Sequence, residues 1–136
     1  MLLAFATDDH SNLINDHFGD AKYYDIYTMK DRDIVFAKSI VNNVVSNVHP
    51  DPSKAKKILN LLDAENVKFL INKTFGTNIT IIKKYVIPIL ARVDKISDAL
   101  VLLQNNHKMI TKLNEEKNIY VILKGETVRI IEDTKK

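Results

Sequence analysis

The sequence predicts a single α/β layered domain with a mixed β-sheet, followed by a C-terminal appendage. Short apolar or β-branched runs are typical of strands, and the segments between them that repeat apolar residues every three to four positions are typical of helices. Their order is three strands, then helix, strand, helix, strand and helix, and finally a helical turn and a hairpin. Alternating helices and strands in this order predict a layered α/β domain, and 136 residues are enough for its core.

The first third of the chain predicts three strands. Residues 2–7 form an apolar run closed by two aspartates, which suits a strand buried on both faces. Residues 22–29 are rich in aromatic and β-branched side chains, and residues 34–41 return after a polar turn, as in a hairpin. A polar loop at 8–20 separates the first strand from the second.

The middle of the chain begins with a helix start at Asp51 and Pro52. Aspartate can cap free backbone N–H groups, and proline suits the first helical turn. The helix ends near Asn66, and a strand at 67–71 follows it directly. The apolar stripe of this helix has the expected spacing: Ala55, Ile58, Leu59 and Leu62.

Segments 79–85 and 86–90 complete a strand–helix–strand crossover. The first predicts a short helix because its length and position fit such a crossover. The second predicts a strand, and Pro88 within it predicts an edge position because proline lacks the N–H that a ladder needs. Asp94 then predicts the N-cap of a third helix with an apolar stripe over 96–103.

Residues 104–136 predict an appendage. Residues 109–116 continue a helical pattern, while 119–123 and 127–131 alternate around a glycine-containing turn and predict a hairpin. We therefore divide the chain into a domain at 1–103 and an appendage at 104–136.

Composition restricts the function classes. The chain has no cysteine, which excludes disulfides, thiolate zinc sites, cysteine-held iron–sulfur clusters and cysteine nucleophiles. The formal charge of +3 comes mainly from scattered lysines, with few arginines, so we expect no nucleic-acid partner. The apolar N-terminus is too short for a signal peptide, and no apolar run reaches the length of a membrane helix. We expect a cytoplasmic protein with no membrane partner.

The polar loop after the first strand carries the motif His17-Phe18-Gly19-Asp20-Ala21, followed by an aromatic-rich strand. This motif, its spacing from the opening strand and the order of elements resemble the dinitrogenase iron-molybdenum cofactor biosynthesis family of NifX-type proteins, over about residues 1 to 103. The resemblance implies a ribonuclease-H-like three-layer fold, with a mixed sheet of order 3-2-1-4-5 and flanking helices. It also places the last family strand at a sheet edge, in agreement with the interpretation of Pro88.

The resemblance implies a non-catalytic protein that binds or carries an iron-molybdenum cofactor or a related iron–sulfur(–molybdenum) precursor. In open α/β sheets, ligands lie beyond the carboxyl ends of the strands where strand order reverses, and the loops after the first and fourth strands emerge there. His17 is the predicted metal ligand, because imidazole is the best transition-metal ligand left without thiolates. The predicted cofactor-binding residues are His17, Phe18, Gly19, Lys73, Gly76, Thr77 and Asn78.

Each of these residues also has a structural interpretation. His17 can be a loop histidine that hydrogen-bonds its own turn, Phe18 can pack in the core, and Lys73 and Asn78 can be turn and cap residues. Single exposed histidines rarely ligate metals, so we expect no metal at His10 or His49. His107 lies outside the family-like region, and we assign it no role.

Two other function classes are considered. A metal-dependent nuclease needs carboxylates on the first and fourth strands, but the first has no internal acid and the fourth ends in Ile71-Asn72-Lys73. The second class is a scaffold or interaction module with a degenerate cofactor pocket. It is favoured by Asp20, where family members usually carry a basic residue, and by the glycine-poor loop at 72–77. The terminal hairpin would then offer an edge to a protein partner or a second copy.

Overall fold

The computed structural model describes residues 1–44 and 51–132. Within these ranges it contains seven strands, four α-helices and one 3₁₀ turn at Phe18–Asp20. The elements in chain order are β1 (Leu2–Thr7), β2 (Tyr23–Lys30), β3 (Asp33–Val41), α1 (Pro52–Asp63), β4 (Val67–Asn72), α2 (Ile79–Ile82), β5 (Ile87–Ala91), α3 (Ile96–Asn105), α4 (His107–Leu113), β6 (Ile119–Lys124) and β7 (Thr127–Glu132).

All seven strands form one mixed sheet of order β3-β2-β1-β4-β5-β6-β7. Strand β1 pairs antiparallel with β2 and parallel with β4, so the strand order reverses beside β1. The first five strands have the order 3-2-1-4-5 that the family resemblance implies. The predicted α/β class is confirmed, and two further strands extend the sheet beyond β5.

Helices cover both faces of the sheet. In β1, Leu3 and Phe5 point to one face and pack with α3 and α4, whereas Ala4 and Ala6 point to the other and pack with α1 and α2. Both sets of side chains are fully buried. The first strand is therefore buried on both faces, as its apolar run predicts.

The C-terminal hairpin continues the main sheet. Strand β6 lies parallel to β5, with Val121 beside Ile89, and β7 returns antiparallel to it. Val121 and Leu123 of β6 belong to the same buried cluster as Leu3 and Phe5 of β1, and Ile110 of α4 is also fully buried there. Residues 104–132 thus contribute to the core on the α3 side. The boundary at residue 103 stays a prediction.

Pro88 is not at a sheet edge, so the prediction from its missing N–H is wrong. Strand β5 lies between β4 and β6. Pairing with β6 starts at Ile89, one residue after Pro88, so the proline stands ahead of the ladder that would need its N–H. A proline at the start of a strand is tolerated there even when the strand is internal.

The two predicted helix caps have different outcomes. Asp51 caps α1, and its carboxylate accepts a hydrogen bond from the Ser53 backbone N–H at 2.9 Å. The N-cap of α3 is Lys95, without a side-chain cap, so the predicted cap at Asp94 is wrong. The Asp94 carboxylate instead pairs with the ammonium of Lys73 at 2.8 Å. Among the described helices, none is long and apolar enough to span a membrane.

Candidate functional site

The loops that follow β1 and β4 meet at the carboxyl ends of these two parallel strands. Asn72, the last residue of β4, is fully buried and joins them. Its side-chain nitrogen donates to the carbonyls of Asp16 and Thr74, both at 3.0 Å, and its side-chain oxygen accepts from the Ile14 N–H at 3.2 Å. Sequence reasoning missed this role, although a polar side chain that closes an apolar strand at the switch point was a usable signal.

His17 stands immediately before the 3₁₀ turn, at the meeting point of the two loops. Its imidazole lies against Gly76, where a Cβ atom would come within 2.5 Å of Nδ1 of His17. Gly76 also has a φ of +69°, a conformation that favours glycine. The chain can therefore place the half-buried ring of His17 here only because residue 76 lacks a side chain.

Phe18 anchors the 3₁₀ turn by packing into the core. Its ring is fully buried and stacks between Tyr24 and Phe75, with centroids 4.8 and 4.9 Å away. Burial, together with the charge of Asp20, raises the pKa of Tyr24, so its hydroxyl stays protonated and donates to the Phe18 carbonyl at 3.0 Å. The packing interpretation of Phe18 describes these contacts well.

A small cleft separates the 3₁₀ turn from α1 and the loop after β4. His17, Phe18, Gly19, Thr77 and Asn78 line it, so five of the seven predicted cofactor-binding residues come together there. Asn78 also donates to the Asp51 carbonyl at 3.2 Å, a role that ties the loop to α1. The remaining lining residues are Asp20, Asp51, Lys54, Ala55, Ile58, Phe75 and Ile82.

Lys54 supplies the cation at this cleft, and sequence reasoning missed it. Its ammonium forms an ion pair with Asp20 at 2.6 Å and its side chain is mostly buried. Lys54 precedes Ile58 by one helical turn, on the edge of the apolar stripe of α1. The four-residue spacing between Lys54 and Ile58 was the signal that could have identified Lys54, because residues four apart share a helix face.

Lys73 lies outside this cleft. Its ammonium contacts the side chains of Asn15 and Asp94 and faces a separate groove, which Asp8, Asp9 and Asp16 also line. The hydrogen bond and charge of Lys73 lower the pKa of Asp94. The predicted contribution of Lys73 to an anionic ligand therefore has no support from its position.

Asp9 organises the first part of the β1 loop. Its carboxylate accepts hydrogen bonds from the Asn12 side chain and from the backbone N–H groups of Asn12 and Ser11, each at 2.8 or 2.9 Å. These bonds hold the pKa of Asp9 well below its usual range. The loop that carries His17 thus begins with a turn that the hydrogen bonds of Asp9 hold in place.

The remaining histidines occupy different places. His10 contacts the buried carboxylate of Asp25, His107 begins α4, and His49 lies outside the described residues. Within residues 1–44 and 51–132, no group of three or more histidine, aspartate or glutamate side chains is arranged to hold a metal ion. A metal at the cleft would therefore take His17 as its one described imidazole ligand.

Comparison with known families matches residues 1–106 to the family described as dinitrogenase iron-molybdenum cofactor. Comparisons with curated proteins and with solved structures gave no match. The matched segment contains β1 to β5, α1 to α3 and every residue of the cleft. Because this match covers most of the chain, the protein belongs to the dinitrogenase iron-molybdenum cofactor family.

Proposed function

We propose that the protein binds and carries an iron-molybdenum cofactor or a related metal cluster, without turnover chemistry of its own. The observation that carries this proposal is the imidazole of His17, which Gly76 and the Asn72 hydrogen bonds support at the mouth of a cleft at the switch point. The family to which the chain belongs adds the class of cargo.

Coordination by His17 suits transferable binding. The chain has no cysteine, so no thiolate can anchor a cluster, and imidazole nitrogen is the best remaining side-chain ligand for iron. One protein ligand holds a cluster far more loosely than several would. A carrier must release its cargo, and a single imidazole meets that requirement.

The charges at the cleft favour weak binding of an anionic cargo. Lys54 is the lysine that lines the cleft, and its ammonium is already paired with Asp20. The carboxylate of Asp51 lines the same cleft and caps α1. Coordination to His17, rather than charge attraction, would therefore supply most of the binding free energy.

The aspartates near the switch point support a role without catalysis. Asp8 accepts a hydrogen bond from the Lys22 N–H at 2.8 Å, and the carboxylate of Asp9 accepts one from the Asn12 N–H in its own turn. Strand β4 ends in the amide of Asn72, which has three hydrogen-bond partners. These groups serve the structure of the loops.

A second candidate function is an interaction module with a degenerate pocket. The observation that favours it is the Asp20–Lys54 ion pair, which occupies the one lysine among the described residues that line the cleft. The outer strands of the sheet would provide the contact surface for a partner or a second copy. They expose large apolar side chains: Val35, Phe36 and Val41 on β3, and Val128 and Ile130 on β7.

Anaerobic co-elution tests the carrier proposal. The full chain is mixed with isolated iron-molybdenum cofactor, passed through a gel-filtration column and analysed for iron and molybdenum. We expect wild type and a His107→Ala control to retain both metals and His17→Ala to lose them. Equal retention by all three proteins would remove His17 from the site. No retention by folded wild type would instead favour the interaction module, which light scattering would then test.

A further inference from the structure

A second groove lies on the α1 face, at the end of the sheet opposite the His17 cleft. Among its lining residues, Lys68 is in the first turn of chain of β4, Val86 immediately precedes β5, and Lys117 shortly precedes β6. The groove is therefore at the amino ends of these parallel strands, whereas the cleft is at the carboxyl ends. Its volume is about 550 Å³, which is within the range of small-molecule sites. The proposed carrier role does not use it.

Three lysines give this groove a surplus of positive charge. Lys56, Lys68 and Lys117 line it, and none of them forms an ion pair in the part of the chain that the structure describes. Asp63 is the one carboxylate among the described residues that line the groove. Three cations around one anion, without acidic partners of their own, attract an anionic ligand.

The same groove has an aromatic and apolar part. Leu59 and Val86 line it and also pack against the core on the α1 side. Tyr85 lines it with 56 % of its surface exposed. An exposed ring beside apolar side chains offers a stacking surface to a planar aromatic group.

The backbone holds the ring and one of the cations on neighbouring segments. The Tyr85 N–H donates to the Ile82 carbonyl at 3.0 Å, which fixes the turn that carries the ring. The Asn118 N–H, next to Lys117, donates to the Lys83 carbonyl at 2.8 Å. The loop before β6 is thereby tied to the segment before Tyr85, so the two parts of the groove are together before any ligand binds.

We propose that this groove binds a nucleoside di- or triphosphate, with the base against Tyr85 and the phosphates among the three lysines. Lysine binds phosphate as a point charge, and aromatic side chains stack on bases of every type. Asn60 and Asp63 line the same groove, and their side-chain oxygens can accept hydrogen bonds from ribose hydroxyls. A bare polyanion would use only the lysines and a bare nucleoside only the ring, whereas a nucleotide uses the whole lining.

Titration with ATP tests the site. ATP, adenosine and tripolyphosphate are each added, without divalent cations, to the ¹⁵N-labelled full chain, and the amide NMR signals are followed. We expect ATP to shift the signals of Lys56, Tyr85 and Lys117 saturably, and each of the other two compounds to bind at least about tenfold more weakly. Tripolyphosphate that binds as tightly as ATP, or no saturable shift at these residues up to about 5 mM ATP, would overturn the proposal.

Tyr85→Leu and Lys117→Gln test the two parts of the groove. Tyr85→Leu removes the ring but keeps an apolar side chain and should weaken ATP binding at least about fivefold, whereas Phe36→Leu, at a similarly exposed aromatic residue of β3, should not. Lys117→Gln should weaken binding about fivefold, whereas Lys112→Gln makes the same change in net charge at an exposed position of α4 and should change it little. Equal effects of a folded variant and its control would contradict the assignment. His17→Ala should bind ATP as wild type does, so the result is independent of the carrier role.

Discussion

The imidazole of His17 and the backbone of Gly76 fit so closely that a Cβ atom at residue 76 would lie 2.5 Å from Nδ1 of His17. The two residues belong to loops that follow different strands, β1 and β4. The buried amide of Asn72 ties the same loops together a few residues away. The position of the candidate ligand therefore depends on both loops at once.

Gly76→Ala should destabilise the protein and move His17. The left-handed backbone costs a non-glycine residue about 1–2 kcal/mol, and contact with the His17 ring adds to this. Gly125→Ala is the matched control, because Gly125 also has a positive φ, of +56°, but an added Cβ there meets nothing within 4 Å. Urea unfolding should show the larger loss for Gly76→Ala, and only that variant should shift the imidazole NMR signals of His17. Equal losses would contradict the close fit.

Asn72→Ala should loosen both loops. The buried N–H of Ile14 would lose its partner, which costs about 1–3 kcal/mol, and the carbonyls of Asp16 and Thr74 would lose theirs. Asn60→Ala, at an exposed position of α1, should change the free energy of unfolding by less than about 0.5 kcal/mol. Hydrogen exchange should show faster opening of the loop amides in Asn72→Ala. Exchange rates like those of wild type would refute the joining role of Asn72.

Asp20→Asn should strengthen retention of an anionic cluster. The substitution releases the ammonium of Lys54 from its ion pair and removes one negative charge from the cleft. A unit charge about 4 Å from a ligand charge contributes about 1 kcal/mol even in water, which corresponds to roughly a fivefold change in affinity. Asp63→Asn makes the same change in net charge on an exposed residue that does not line this cleft. Molybdenum retained after gel filtration measures both, and a similar gain in both variants would argue against a local effect.

The Asp9 turn should contribute to acid sensitivity. The pKa of Asp9 is lowered in the folded protein, chiefly by the hydrogen bond from the Asn12 side chain and then by backbone N–H groups. Its stabilisation is therefore complete above the ordinary carboxyl pKa of about 4 and is lost as the pH falls below that value. Asp9→Asn should lower stability at pH 7 and flatten its decline between about pH 4 and pH 2, whereas Glu126→Gln, an exposed turn residue, should do neither. Denaturant unfolding at each pH provides the measurement.

Leu123→Ala should destabilise the whole protein. Leu123 is a fully buried residue of β6, and such truncations cost about 2–5 kcal/mol. Val128→Ala on β7 removes a side chain that is already 37 % exposed and should cost less than about 1 kcal/mol. One cooperative thermal transition at a lowered Tm is expected for Leu123→Ala. Two separate transitions would show instead that residues 104–136 fold independently of the rest.

The order of elements and the α/β class follow from local patterns. The apolar stripe of α1 and its Asp51 cap depend on residues within a few positions of each other, so the sequence contains what decides them. The His17-Phe18-Gly19 motif likewise indicates the loop that faces the switch point. Five of the seven residues predicted for the site line one cleft.

What lies beside an element in space could not be predicted in the same way. Pro88 predicts an edge strand from local sequence, but β6 pairs with the same strand from Ile89 onward. Asp94 predicts a helix cap, but its carboxylate forms an ion pair with Lys73. The His10–Asp25 contact likewise joins a loop to a strand.

The sequence by itself therefore determined the family, the strand and helix order and the loop that carries His17. The tertiary structure alone decided which charges are paired, which strands are internal and which histidine has a buried carboxylate behind it. The physical reason is the distance along the chain over which each interaction acts. Periodicity, capping and turn formation act between neighbours along the chain, whereas ion pairing, burial and strand pairing act between residues that only the folded chain brings together.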